Sequence, residues 1–163
     1  MWLQTSLNLS FRFVIISLLV KLLWFSIGLF WIYKLNWWET GSWGRVIGWP
    51  LEGWPTLATR FSTWDGAHYL NIAYSGYKAG TNGCAFYPLW PGLIRLGSLF
   101  TGGDLFWAGL ILANIFSILG LVQFYRLVEE NHGASAAKWA LILILVFPGA
   151  IFLHLIYTEP LFL

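Results

Sequence analysis

The sequence predicts an all-α, polytopic membrane protein, and three observations carry that prediction. Of its 163 residues, 58% are hydrophobic and only 10% charged, against roughly 25% charged in soluble globular domains. Apolar runs recur that approach about 20 residues, the length needed to cross a hydrocarbon core of about 30 Å. Twelve tryptophans and seven tyrosines suit the headgroup zone, where an amphipathic ring keeps its body dry and its N–H or O–H wet. The mean hydropathy of +0.68 agrees. A net charge of +2, scattered along the chain, argues against nucleic acid and against a polybasic lipid anchor. Cys84, the single cysteine, excludes an internal disulfide.

Three spans are expected. The first covers residues 11–33, broken only by Arg12 at its edge, Lys21, Ser17 and Ser26. It exceeds the about 7–15 apolar residues of a cleavable signal and runs into Trp and Tyr instead of small residues, which implies an uncleaved helix. Lys21 either snorkels or faces the protein interior. The second span covers residues 105–124, with Asp104 as its N-cap after Gly102-Gly103. The third covers residues 139–157 and carries Pro148, which removes an internal hydrogen bond and predicts a kink or break. The sequence then stops at Leu161-Phe162-Leu163 in an apolar stretch, so a continuation or a completing partner is expected.

Residues 34–103 form a first loop far longer than the usual connection of about 4–6 residues, a length that is usually functional. Residues 36–55, rich in Trp and Gly, are expected to lie irregularly on the membrane surface. A short amphipathic helix is expected over residues 62–74, ending near Gly76. An aromatic turn over residues 86–92 leads into a second short apolar helix over residues 93–100, interfacial or re-entrant. Residues 125–138 read as a short loop in which Glu129 and Glu130 are solvated. The distribution of Arg12, Arg126 and Lys138 favours a cytoplasmic N-terminus and an external long loop.

The chemistry concentrates in Trp64-Asp65-Gly66-Ala67-His68-Tyr69, because ionisable groups beside a membrane are expensive to hold. With Ser62 as N-cap, Asp65 falls at the third helical position and completes a capping box. That structural role stands beside a catalytic one, and the residues leave both open. His68 and Tyr69, three and four residues on, share the Asp65 face of a helix. Glu159, in Tyr157-Thr158-Glu159-Pro160, falls on the same membrane face as Asp65 when the spans are counted. Two carboxylates meeting there suit general-base work or cation binding. His154 reads as a packed or pore-facing residue. A P-loop, a dinucleotide fingerprint, a paired-cysteine zinc pattern and a nucleophile elbow are all missing from the sequence.

Trp64-Asp65-Gly66-Ala67-His68-Tyr69, Gly76-Tyr77, Phe86-Tyr87-Pro88-Leu89-Trp90-Pro91, Phe147-Pro148 and Tyr157-Thr158-Glu159-Pro160-Leu161-Phe162 together resemble, in order and spacing, the PIG-V-like family of GPI mannosyltransferase II type. The resemblance implies the N-terminal portion of a GT-C-type fold, in which residues 1–163 are part of one transmembrane domain. It also implies a sugar, mannose by the family's name, carried on a polyprenyl (dolichyl-type) phosphate and moved with inversion to a lipid or glycan acceptor. The family's two acidic positions map onto Asp65 and Glu159, with Asp65 as base. His68, Arg60, Lys78 and Arg95 are the donors for a departing phosphate, and Trp64, Tyr69 and Tyr87 the aromatic faces for sugar or lipid. Related sequences commonly place an arginine directly before the Trp-Asp pair, where this chain has Thr63. No cofactor is implied, and participation of a divalent metal stays open. The membrane is that of a bacterial cell or of a eukaryotic endoplasmic reticulum. The rival readings are a catalytically inactive fragment or non-enzymatic membrane subunit, and a transporter fragment.

Overall fold

The computed structural model describes residues 61, 62 and 64–163, together with positions 16, 19–21, 23, 24, 26–28 and 30. The described positions between 16 and 30 are helical, as expected for the first span. The rest of that span, the segment 36–55, Arg60 and Thr63 lie outside the described residues. Every regular element among the described residues is helical. They are α1 (Asp65–Ser75), a 3-10 helix (Asn82–Ala85), α2 (Leu89–Gly97), a 3-10 helix (Ser98–Phe100), α3 (Leu105–His132), α4 (Ala134–Val146), a 3-10 helix (Pro148–Leu153) and α5 (Glu159–Phe162).

Helix α3 starts where its local chemistry dictates. Gly102 and Gly103 take φ of 67° and 91°, and the Trp107 N–H donates to Asp104 Oδ1 at 3.0 Å, the bond that an N-cap aspartate makes to the third helical residue. The helix then runs 28 residues, about 42 Å, eight residues beyond the expected end. Among the described residues it is the one helix long and apolar enough to cross a membrane. The expected loop over residues 125–138 is therefore corrected: Glu129 and Glu130 sit on the last turns of α3, and the reversal is made at Gly133, whose φ of 84° suits a residue without Cβ.

In the third span the break expected at Pro148 is present, and the helix expected beyond it to Tyr157 is corrected. Helix α4 is only 13 residues long, about 20 Å. It ends because the residue before a proline is pushed out of the helical region, and Phe147 has φ −60° and ψ 131°. A 3-10 helix and an irregular stretch carry the chain from Pro148 to Thr158 in place of a helix reaching Tyr157.

Two further starts differ from expectation. Helix α2 begins four residues earlier than residue 93 because Pro91 falls in its first turn, where backbone N–H groups have no intrahelical acceptor and proline is tolerated. Helix α1 begins at Asp65, with Trp64 at the cap position and no side-chain capping bond. It ends at Gly76, whose N–H reaches the Ile72 carbonyl at 2.8 Å.

The chain divides into two compact units, one of residues 1–43, 118–151 and 163, the other of residues 44–117 and 152–162. The first is built on Leu121, Tyr125, Ala137, Leu141 and Leu145, with Val20, Val128 and Ile144 against them. Lys21 is 6% exposed, so it faces the interior and does not snorkel. In the second unit Leu70, Trp90, Ile94 and Ile156 are fully buried. Gly97 of α2 lies so close to α3 that a Cβ there would meet Leu112 Cδ1 at 2.9 Å. The Trp90 ring meets Phe116 edge to face at 6.3 Å. Leu89, Leu96, Leu99 and Phe100 stay exposed.

Candidate active site

The second unit gathers three of the singled-out blocks around α1. The carboxylate of Asp65 is exposed at the first helical position, and no hydrogen bond to it is formed by any side chain among the described residues. The capping box is therefore corrected: Ser62 is fully buried in a bend, and the helix opens at Asp65 with Trp64 at its cap position. Trp64 has φ 52° and ψ −125°, the only positive φ outside glycine among the described residues. A bulky side chain is held in this region at a cost of about 1–3 kcal/mol, and such strain clusters at working sites. The Trp64 carbonyl accepts from the N–H groups of Ala67 at 3.1 Å and His68 at 3.4 Å.

Phe86 holds the second block against the first. The half-buried His68 ring stacks on it at 5.0 Å and 23°, and Tyr69 meets it edge-on at 5.0 Å and 78°. The Tyr77 hydroxyl donates to the Phe86 carbonyl at 2.8 Å. Tyr87, next in the chain, is 86% exposed, and Trp64 is 56% exposed, so both present open aromatic faces.

The third block reaches α1 through Gly66. A Cβ at Gly66 would lie 3.3 Å from the Ile156 carbonyl oxygen and 3.8 Å from the Tyr157 ring. The Tyr69 hydroxyl is 3.3 Å from Thr158 Oγ1. Tyr69 is thus buried beneath the surface, and its place as an open stacking face is corrected. Burial pushes the Tyr69 hydroxyl above the usual tyrosine range; the Thr158 hydrogen bond works the other way, and the charges of Asp65 and Glu159 add to the rise. Asp65 and Glu159, 94 residues apart in sequence, each adjoin residues that meet, Gly66 against Ile156 and Tyr69 against Thr158, and Glu159 is exposed as Asp65 is.

The cationic candidates divide. Arg95 Nη1 donates to the Ala73 carbonyl at 3.2 Å, in the last turn of α1, about 12 Å along the helix from Asp65. There it complements the negative end of the helix dipole. Lys78 is exposed. Among the described residues no group of three or more His, Cys, Asp or Glu side chains converges to hold a metal ion.

Ile156, Thr158 and Gly109 were not singled out from the sequence as members of this site. Gly109 and Ala113 lie four apart on α3, a small-xxx-small spacing that marks close helix packing in membranes and was the available signal. A family model described as Mannosyltransferase (PIG-V) matches residues 52–163, the range that holds all three blocks. No curated protein and no solved structure matches the chain.

Proposed function

The chain belongs to the mannosyltransferase (PIG-V) family, and from that premise we propose that it moves a mannosyl group from a polyprenyl-phosphate donor to a hydroxyl of a lipid or glycan acceptor, with inversion. The observation that carries this reading is the docking of the segment before Glu159 onto α1 next to Asp65, through Ile156 at Gly66 and Thr158 at Tyr69, beside the open faces of Trp64 and Tyr87. As the acceptor oxygen closes on the anomeric carbon, Asp65 takes its proton. The bond from that carbon to the phosphate oxygen breaks, and the lipid phosphate leaves with the bonding pair. His68 and Lys78, with Arg60 by its sequence position, supply donors for that anion. Glu159 shares the acceptor side.

The architecture that fits this chemistry is the N-terminal portion of a GT-C fold, a single multi-pass transmembrane domain over residues 1–163. Its spans are residues 11–33, α3 and a third segment opening with α4. Residues 34–103 form an external loop in which the exposed Leu89, Leu96, Leu99 and Phe100 rest on the bilayer.

The test is Asp65→Asn in the complete gene product, assayed in membranes with a labelled polyprenyl-phosphate mannose. Transfer should fall about 10²–10⁴-fold, the range for losing a general base, at unchanged accumulation in the membrane. Undiminished transfer would remove Asp65 from the base role, and transfer absent from the unsubstituted protein would favour the non-enzymatic subunit.

A further inference from the structure

Ile156 is fully buried between two glycines of different helices. It lies against Gly66 of α1, as described above, and a Cβ on Gly109 of α3 would meet its Cγ2 at 2.8 Å. Two residues on, Thr158 Oγ1 meets the hydroxyl of the buried Tyr69. The stretch is further held at its start, where Asn114 Nδ2 donates to the His154 carbonyl at 3.2 Å. No continuous helix sets the path of residues 154–158, so these side contacts set it, and Glu159 follows directly.

We propose that Ile156 and Thr158 are positioning residues: by locking the segment before Glu159 onto α1, they fix the spacing of the Asp65 and Glu159 carboxylates. The proposal rests on the reading that these carboxylates serve transfer. Ile156 acts by shape at Gly109, where an added Cβ would meet its Cγ2 at 2.8 Å, while its backbone carbonyl packs against Gly66. Thr158 acts by its hydroxyl, which prevents the segment from sliding along α1. Neither is a catalytic residue, since neither touches the reacting atoms. Misplacement of a reacting group by about 1 Å costs on the order of a hundredfold in rate, so a partial release is expected to show mainly in kcat.

The test is a double-variant cycle on the complete gene product in membranes, reading kcat and donor KM. Tyr69→Phe and Thr158→Val should each lower kcat about tenfold with KM unchanged, and the double variant should be no worse than either. Thr158→Ser keeps the hydroxyl and should stay within about twofold of the parent. Gly109→Ala should also lower kcat, and adding Ile156→Leu, which removes the offending methyl at conserved volume, should restore it. Should Gly109→Ala fail to accumulate, the Tyr69 and Thr158 cycle decides alone. Losses that multiply in that cycle, or Thr158→Ser as poor as Thr158→Val, overturn the positioning role. Loss of transfer in Asp65→Asn together with a multiplying cycle overturns the positioning role only; undiminished transfer in Asp65→Asn overturns the base assignment beneath it.

Discussion

Two helices of this chain open on an aspartate, and the two aspartates do different things. Asp104, before α3, turns its carboxylate back onto the helix and accepts from Trp107 N–H at 3.0 Å. Asp65, at the first position of α1, makes no capping bond and stays exposed, while Trp64 before it is held at φ 52°. A cap satisfies a backbone donor that would otherwise lack a partner, and its energy goes into stability. A carboxylate left without such a bond, behind a strained residue, is the arrangement the proposed base role calls for. On the proposed function, the pair sets a structural acid beside a chemical one within a single chain.

The largest effect that sharpens this contrast is the loss of transfer in Asp65→Asn described above. It should come with a melting temperature in detergent within about 2 °C of the parent, since no cap is lost, a shift of the size expected for less than about 0.5 kcal/mol. A clear drop in melting temperature would return Asp65 to a structural role. Next is Trp64→Gly. Glycine accepts positive φ freely, so relief of about 1–3 kcal/mol of strain outweighs the roughly 0.5–1 kcal/mol that its greater unfolded freedom costs. The variant should melt higher while transfer falls, because the exposed indole face is gone; a lower melting temperature would show that Trp64 is not strained.

How far each start was readable follows from the same physics. The start of α3 was legible because Gly102, Gly103 and Asp104 act within a few residues of one another. The start of α1 was misread because Ser62 is taken into the core, and burial over-rode a capping pattern that needs that residue at the helix end. The stop of α4 was legible in Pro148, which acts on its neighbour. The path after it was not, because it depends on Gly66 and Gly109, far away in sequence. The site shows the same division. The carboxylates, the histidine and the aromatic blocks were visible as residue types in order, whereas the burial of Tyr69, the capture of Arg95 by the Ala73 carbonyl and the wedge of Ile156 arise only when distant segments meet.

The smallest effects lie at Asp104, and they test the contrast most directly. Asp104→Ala removes the acceptor of the Trp107 N–H and should cost about 1 kcal/mol, seen as a lower melting temperature with transfer per folded molecule unchanged. Asp104→Asn should cost almost nothing, because an asparagine oxygen caps about as well as a carboxylate oxygen. The same exchange of a carboxylate for an amide is then silent at one helix start and disabling at the other. An amide can accept a backbone hydrogen bond, so it replaces a cap; it cannot take a proton from an acceptor hydroxyl, so it does not replace a base. If both Asp→Asn variants were silent, or both lowered the melting temperature alike, the two aspartates would share one role and the division drawn between them would fail.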